Sequence, residues 1–390
     1  MSSYESGPTP GRGRGRRFLS WLLIAVLLGL VLMVVTNYHN VGNMVRVVGL
    51  VRSDFLFPVG SSQMMEGAMK GLVSSLDDPY SAYLDQETFA ALKEQIRGSF
   101  AGLGILVAAR DQRVAVVKAY EDTPASREGI EDGDIIFKID DLDTEGIDLD
   151  TAISLMRGEV GTKVTLTISR QGEPELLVFN VTREEITVPT VETRFIEADQ
   201  IEYISISQFT ERTGAEVRNA LEQTQTDQAR GIILDLRYNP GGELVAAVEV
   251  ARNFVPEGPI VYIANRAGKE QVYESYGETI DLPLVVLING DSASASEILA
   301  GAIKDTGAGV LVGTRSYGKG IVQTVFNLRD GAGLKLTTAH YLTPNRNNIH
   351  EIGIEPDLIV EQDLDEPTTD LQMEKALEVI REKTAATAGG

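Results

Sequence analysis

The sequence predicts an α/β protein built from a helical arm, a β-rich unit and a core of alternating strands and helices. Three observations support this fold class. Met64, Met65 and Met69 stand at helical spacing ahead of the β-rich region. Between residues 105 and 181, short apolar runs separated by turn residues are typical of β-strands. Between residues 231 and 313, wholly apolar runs alternate with amphipathic stretches, which indicates parallel strands joined by helices.

The composition is that of a globular protein. The 390 residues, 43% hydrophobic and 24% charged, suffice for the cores of two or three domains. The net charge of −22 argues against a general affinity for nucleic acid or for an anionic membrane surface. The chain has no cysteine, which excludes disulfides, thiolate catalysis and cysteine-bound zinc. Soluble, peptide-like partners fit this composition better.

The N-terminus has a basic tail followed by an uncharged apolar segment. Residues 1–17 contain four arginines and one glutamate, and the next charged side chain is Arg46. The apolar segment Phe18–Val35 has 18 residues, close to the roughly 20 that cross a bilayer and longer than the ~7–15 of a signal peptide. The positive-inside rule predicts a cytoplasmic tail at 1–17, a single-pass cell-membrane anchor at 18–36 and an extracytoplasmic remainder. A cleaved signal peptide is the alternative, although no small-x-small cleavage site follows the segment.

The β-rich unit is predicted to contain five strands and two short helices. The first helix stops at Gly129; the second begins after the capping residue Asp148 and stops at Gly158. The predicted strands are Ile105–Ala109, Val114–Ala119, Ile135–Ile139, Val164–Ser169 and Leu176–Val181, and the helices are Pro124–Glu128 and Leu149–Arg157.

The core is predicted to alternate buried strands with helices, which implies parallel pairing. A last helix carries one apolar stripe that would pack on a domain or on a second subunit. The strands predicted to alternate in this way are Gly231–Arg237, Leu284–Asn289 and Val310–Gly313, and the helices between them are Glu243–Phe254 and Ser296–Lys304. Two further strands are predicted at Ile321–Leu328 and Leu334–Leu342, and the last helix at Thr368–Lys383.

The segment Asn289–Ile298 joins a predicted buried strand to a helix and contains three serines. A hydroxyl at such a junction lies where the helix N-terminus offers N–H groups and a positive dipole to a developing oxyanion, as an acyl-transfer nucleophile requires. Ser294 and Glu297 also form a Ser-x-x-Glu capping box, so taken alone helix capping is the simpler interpretation. An α/β-hydrolase elbow is unsupported, because Ser294 stands where Gly-x-Ser-x-Gly needs its last glycine.

A serine nucleophile needs a base, and the sequence offers few. His39 lies beside the apolar segment, which leaves His340, in a predicted strand, and His350, in a polar loop. Surface or structural roles suit both. Lys319 lies between Gly318 and Gly320, in a turn that fixes the stem of its side chain. Burial lowers a lysine pKa by up to ~3–5 units, so Lys319 is the candidate base. The alternative is an ordinary exposed turn.

Two glycine motifs remain. Pro240-Gly241-Gly242 follows a predicted strand and can present consecutive backbone donors to an anion or a carbonyl oxygen, although a plain turn also explains it. Residues 313–319 match the Gly-x-x-x-x-Gly-Lys of a P-loop. Gly320 follows where a hydroxyl should bind magnesium, and a strand rather than a helix comes next, so nucleotide binding is not predicted.

These motifs, in this order, resemble those of the C-terminal processing, or tail-specific, serine peptidases. The resemblance covers most of the chain from Asp77 to Val360. It rests on Asp78-Pro79-Tyr80-Ser81, Gly102-Leu103-Gly104-Ile105, Asp235-Leu236-Arg237, Asn239-Pro240-Gly241-Gly242, Ser292-Ala293-Ser294-Ala295-Ser296-Glu297, Gly318-Lys319-Gly320 with Gln323, and Gly353-Ile354-Glu355-Pro356-Asp357.

The resemblance implies a catalytic role for three side chains. Ser294 would be the nucleophile, Lys319 its base, and Gln323 the residue that positions the lysine. The implied oxyanion donors are the backbone N–H groups of Ala295 and of a glycine in the Asn239 motif, chiefly Gly241.

The resemblance also implies the domain layout. A helical arm would span 37–98, a PDZ domain 99–185, a protease core of ClpP/crotonase-like layers 186–362, and a C-terminal helix and tail 363–390. The PDZ loop formed by Gly102, Leu103, Gly104 and Ile105 would hold a substrate's terminal carboxylate while the peptide adds a strand to the sheet.

The sequence departs from the family's pattern in the segment 344–350. This segment lacks the glycine-containing turn usual there, which puts the substrate preference in doubt.

The predicted function is therefore a membrane-tethered serine endopeptidase that cleaves extracytoplasmic proteins near their C-termini. It needs no metal, nucleotide or organic cofactor, binds no nucleic acid and could form a homo-oligomer. The alternative is a catalytically silent PDZ adaptor that binds protein C-termini at the membrane. An acyl-CoA-type enzyme on a related α/β core is a second alternative, which would leave the PDZ-like unit unexplained.

Overall fold

The computed structural model describes residues 21–22, 24–29, 38–226, 228–362 and 369–388. The chain divides into two compact units, Met1–Asp77 and Asp78–Gly390.

The first unit is mainly helical in its described residues. Residues 21–22 and 24–29 are helical, and two helices follow, α1 (Tyr38–Asp54) and α2 (Ser61–Ser74). Most of the predicted membrane anchor, 18–36, lies outside the described residues. Among the helices that can be described, none combines the length and the apolar character needed to span a bilayer.

The second unit contains the remaining described helices and the strands of four sheets. Its helices are α3 (Gln86–Arg97), α4 (Pro124–Glu128), α5 (Leu149–Met156), α6 (Thr213–Thr226), α7 (Leu244–Ala251), α8 (Ala295–Thr306) and α9 (Leu371–Ala388), with a 3₁₀ turn at Arg329–Gly331. Its strands are β1 (Ala82–Leu84), β2 (Ser99–Gly102), β3 (Ile105–Arg110), β4 (Arg113–Ala119), β5 (Ile135–Ile139), β6 (Leu142–Asp143), β7 (Lys163–Ser169), β8 (Leu177–Thr182), β9 (Glu184–Thr187), β10 (Val191–Ile196), β11 (Ile201–Ile206), β12 (Gly231–Asp235), β13 (Gly258–Asn265), β14 (Glu270–Ser275), β15 (Leu284–Ile288), β16 (Val310–Gly313), β17 (Ile321–Asn327), β18 (Gly333–Leu342) and β19 (Leu358–Ile359).

The β-rich part is an antiparallel sheet in the order β3-β4-β5-β7-β8, with β6 paired to β5. All five strands predicted for it are present. Both predicted helices are present too: the Asp148 carboxylate accepts the N–H of Thr151 at the start of α5, and Gly129 ends α4 in the left-handed conformation. A separate ladder of β2 and β9 joins the two ends of this part.

The core sheet runs β10-β11-β12-β15-β16-β19, with β10 antiparallel at one edge and the other strands parallel. Alternate side chains of a strand point to opposite faces. On one face Ile232 and Leu234 pack in the cluster that contains α7 and α8. On the other face Ile233 packs with Val379 and Ile380 of α9. The core is therefore a three-layer α/β structure. The predicted parallel pairing is present, and the last helix packs on this domain.

A second sheet, β1-β18-β13-β14, also pairs β18 with β17. Strand β17 begins two residues after Lys319, and β1 follows the Asp78–Ser81 turn. Because β1 and β17 flank β18 from opposite sides, this sheet brings the turn and the Lys319 loop into one neighbourhood.

Candidate active site

Ser294 lies on a sharp turn between β15 and α8. Its backbone has φ 55° and ψ −112°, a conformation that is uncommon for a residue with a side chain and that concentrates at functional sites. An ordinary N-cap residue is extended instead. The Glu297 carboxylate accepts the Ser294 N–H at 2.8 Å, so the carboxylate half of the capping box is formed. The strained turn shows that capping alone does not explain this serine.

The neighbouring serines fix the turn. The Ser292 hydroxyl accepts the N–H of Asn289 at 2.9 Å and donates to the Leu236 carbonyl at 2.8 Å. The Ser296 hydroxyl donates to the Asn239 carbonyl at 3.0 Å. Both side chains are buried, so their roles are structural.

The glycine pair after β12 approaches Ser294 closely. A Cβ on Gly241 would lie 2.6 Å from the Ala293 carbonyl oxygen and 2.8 Å from the Ser294 Cβ, so glycine is required there. The N–H of Gly241 donates to the Asn239 side-chain oxygen at 2.9 Å, so this N–H is already hydrogen-bonded within the protein. Among hydrogen bonds between described residues, none uses the N–H of Gly242 or of Ala295. The structure therefore favours Gly242 over the predicted Gly241 as the second free donor.

A cavity of about 260 Å³ opens beside Ser294. Gly242, Glu243, Ala295, Gln323 and Tyr341 supply polar groups or backbone to its wall, and the Glu243 carboxylate accepts the N–H of Ala246 in α7. The aliphatic lining residues are Ile96, Leu244, Ile298, Ile321 and Val322. The aliphatic part of this wall can contact an apolar side chain of a peptide next to the nucleophile.

Lys319 is half-buried in a tight loop. A Cβ on Gly320 would lie 2.5 Å from the backbone nitrogen of His350, so this glycine lets two backbone segments approach. Burial lowers the pKa of Lys319, and the nearby Lys335 ammonium acts in the same direction. The carboxylates of Glu297 and Asp78 oppose this shift. A lysine with a lowered pKa is a better candidate for a base at neutral pH.

The Lys319 ammonium does not reach the serine in this structure. Within the described residues, no hydrogen bond joins Lys319 to Ser294 or to Gln323. The ammonium lies instead over the Tyr80 ring, 4.8 Å from its centroid. The Gln323 amide makes a long contact of 3.5 Å with the Ile321 carbonyl. Ser294, Ala295 and Gln323 thus share the cavity wall, and Lys319 stands apart from it.

Glu297 connects the serine to the lysine loop. This carboxylate is fully buried. One oxygen accepts the Ser316 hydroxyl at 2.6 Å and the Gly318 N–H at 2.7 Å. The other accepts the N–H groups of Ser294 and Lys319 at 2.8 Å each, so these two backbone nitrogens are no more than twice 2.8 Å apart. Sequence reasoning treated Glu297 only as a capping partner and missed this role.

Tyr341 completes the buried network. Its hydroxyl donates to the Ser294 carbonyl at 3.1 Å and lies 3.4 Å from a Glu297 oxygen. Burial, followed by the Glu297 charge, raises the pKa of Tyr341, so the phenol stays a neutral donor. The ring centroids of His340 and His350 are 5.9 Å apart, and in the described part of the chain neither ring is hydrogen-bonded to Ser294.

The chain resembles known proteins over most of its length. The chain is 41% identical to a carboxy-terminal-processing protease of Bartonella bacilliformis, over 81% of this chain and 74% of that protein. Residues 200–360 match the family model of peptidase family S41. The chain belongs to this family. It is a serine-type peptidase of the carboxy-terminal processing kind.

Other relatives of this S41 peptidase agree. It is 35% identical to the carboxy-terminal processing protease CtpB of Bacillus subtilis, over 80% of this chain and 66% of that protein. The solved structure of the photosystem II D1 C-terminal processing protease is 30% identical and has a TM-score of 0.51, covering 85% of this chain and 89% of that one. A putative S41 protease from Bacteroides fragilis, 16% identical with a TM-score of 0.50, shows the same fold. The predicted fold class is confirmed.

Two further family models match parts of this S41 peptidase. Residues 101–181 match a PDZ domain, and residues 34–88 match the N-terminal domain of the activating protease CtpB. The predicted loop Gly102–Ile105 lines a cavity of about 200 Å³ in the PDZ domain, together with Ile153 and Met156 of α5. Hydrogen bonds between described residues leave the N–H groups of Leu103 and Gly104 unused. The loop therefore has donors available beside an apolar groove.

Proposed function

We propose that this carboxy-terminal processing peptidase acts through a Ser–Lys dyad formed by Ser294 and Lys319. The observation that supports it most is the shared Glu297 oxygen, because it keeps the backbones of the two residues together. The strained Ser294 turn, the cavity beside it and the lowered pKa of Lys319 agree with the same assignment.

In this mechanism neutral Lys319 accepts the Ser294 proton as the hydroxyl oxygen attacks the scissile carbonyl carbon. The resulting oxyanion accepts hydrogen bonds from the N–H of Ala295, at the start of α8, and from the N–H of Gly242, in the loop before α7. Lys319 then gives the proton to the leaving amine, which departs as the acyl-enzyme forms. Water attacks the ester by the same route and releases Ser294. Gln323 is proposed to hold the lysine amine once it has turned into the cavity.

The structure disfavours nucleotide binding at the Lys319 loop. The N–H groups of Gly318 and Lys319 both donate to the Glu297 carboxylate and are not free for phosphates. Strand β17 follows the loop where a P-loop continues into a helix.

The catalytically silent adaptor is also disfavoured, because a protein that only binds peptides would have no use for a serine in a strained turn beside a cavity.

We further propose that the PDZ domain recognises the substrate's C-terminal tail. The unused N–H groups of Leu103 and Gly104 suit a carboxylate, and the apolar groove suits the last side chain of the tail. The peptide would add as a strand beside β3, which stands at the end of the sheet that the described strands form.

Amidating the substrate's C-terminus is expected to weaken its binding, because an anion held by several N–H donors becomes a neutral group. The measurement compares the dissociation constants of free-acid and amidated peptides with an apolar tail, and maps their cleavage sites by mass spectrometry. A free-acid peptide with a polar tail serves as the control for the groove. Equal binding and cleavage of the free-acid and amidated peptides would contradict carboxylate capture.

A location at the cell membrane, with the catalytic domain outside the cytoplasm, is a separate proposal supported by the uncharged segment behind four arginines. Protease added outside intact cells, or outside spheroplasts where an outer membrane intervenes, is expected to digest the chain beyond Tyr38. A cytoplasmic protein probed in the same cells controls for lysis. Digestion that requires lysis would contradict this topology.

A further inference from the structure

The Lys319 ammonium rests on an aromatic face. Its Nζ atom is 4.8 Å from the centroid of the Tyr80 ring, within the ~6 Å over which the ring quadrupole attracts a cation. Both side chains are half-buried, so water weakens the attraction less than at an exposed site. The ring thus interacts favourably with the charged form of the side chain that is proposed to act as a base when uncharged.

The position of Tyr80 is fixed by its turn. The Asp78 carboxylate accepts the Tyr80 N–H at 3.1 Å and the Ser81 hydroxyl at 2.5 Å. The Ser81 oxygen in turn accepts the Thr337 N–H of β18 at 3.0 Å. Because β18 also pairs with β17, which begins just after Lys319, the ring and the lysine are attached to one sheet.

Several charges face this pair. Glu297, Asp78 and Lys335 act on Lys319, and burial together with Lys335 lowers its pKa against the two carboxylates. Around Tyr80 stand Tyr317, Asp78 and Glu351, and His350 acts on Asp78. Burial, then Tyr317, raises the pKa of Tyr80. The Tyr80 phenol therefore stays neutral at ordinary pH, and its ring attracts the ammonium as a quadrupole, not as an anion.

We propose that Tyr80 is a positioning residue for Lys319, whose protonated amine it holds in a resting place until the amine turns towards Ser294. The proposal rests on the role of Lys319 as the base. A neutral amine gains little from the ring face, so loss of the proton releases the side chain. The same attraction sets how much of the enzyme has a free base at a given pH.

Tyr80→Leu tests this directly, since leucine keeps the amine covered but has no ring quadrupole. Competitive acetylation of the full chain, read by mass spectrometry of the peptide that contains residue 319, measures the midpoint of amine titration. We expect this midpoint to fall by about half a pH unit in Tyr80→Leu. The pH of half-maximal kcat/KM is expected to fall by a similar amount, which a purely structural role would not produce.

Two matched variants serve as controls. Tyr80→Phe keeps the ring face and is expected to leave the midpoint unchanged. Tyr317→Leu removes a neighbouring ring that is 58% exposed and is also expected to leave it unchanged. Tyr80→Met provides the same test in a more flexible side chain if thermal unfolding shows that Tyr80→Leu does not fold.

An unchanged or raised titration midpoint in Tyr80→Leu and Tyr80→Met, or an equal fall in Tyr80→Phe, would overturn the proposal. A lowered titration midpoint without a change in the kcat/KM profile would support the hold of the ring on Lys319. It would at the same time contradict Lys319 as the base, so the two ideas fail separately.

Discussion

Replacing Ser294 or Lys319 by alanine is expected to lower kcat/KM on the order of 10⁴-fold or more, with the double variant little worse than either single one. Groups that act as one unit are strongly non-additive, because removal of either already abolishes their joint contribution. The measurement is cleavage of an unstructured protein with an apolar C-terminus. Binding of its tail should persist in all three variants, since the PDZ groove is unchanged.

Ser292→Ala is the matched control for this series. Ser292 lies two residues from Ser294, but its hydroxyl is hydrogen-bonded to the N–H of Asn289 and to the carbonyl of Leu236. We therefore expect Ser292→Ala to keep substantial activity and to lower the free energy of unfolding by about 1 kcal/mol. A single variant, Ser294→Ala or Lys319→Ala, with near wild-type turnover would contradict the dyad. Equal losses in Ser292→Ala and Ser294→Ala would trace the defect to the turn and not to the nucleophile.

Replacing Glu297 by glutamine is expected to lower kcat/KM by roughly 100-fold. An amide offers one acceptor oxygen and turns two donors towards the N–H groups that the carboxylate now holds, so the serine turn and the lysine loop should separate. A displacement of about 1 Å in a catalytic group costs on the order of 10²-fold. We expect the loss mainly in kcat, because Glu297 does not line the groove proposed to bind the tail.

Glu355→Gln is the control for this change. Glu355 is an acidic residue paired with Arg315 close to the same loop, but its carboxylate is half exposed. Exposed pairs contribute little, so its activity and stability should stay near those of the wild type. If Glu297→Gln retained full activity, Glu297 would have no part in positioning the dyad.

The core could be predicted because its strands are continuous apolar runs. Strands β12 and β15 are buried at every position. Such apolar runs between amphipathic stretches are typical of parallel strands that helices cover on both faces. Strand β14 was not predicted. Its residues Glu270–Ser275 are mostly exposed and strongly polar, so neither alternation nor an apolar run marks it. Helix α7 was predicted three residues too long at its C-terminus, because Phe254 is buried in a turn and continued the apolar pattern.

The candidate site was only partly visible in the sequence. Serine between a strand and a helix, and lysine between glycines, are local patterns that point to chemistry. The link between them is not local, because Glu297 reaches residues about twenty positions later in the chain. The hydrogen bond from the Gly241 N–H to Asn239 likewise depends on the rotamer of the Asn239 side chain, which the spacing of residues in the sequence does not predict. The Tyr80 ring lies still further away in sequence, and strand pairing in the folded sheet brings it to Lys319.

The most direct test of the Ser–Lys mechanism is the turnover of Lys319→Arg against the wild type across pH. Burial lowers the pKa of Lys319, and the base is the deprotonated form, so wild-type kcat/KM should rise as pH passes upward through that pKa. Arginine stays protonated throughout, so Lys319→Arg should be as inactive as Lys319→Ala at every pH, without any dependence on magnesium or nucleotide. Cleavage by Lys319→Arg at near the wild-type rate would contradict the mechanism.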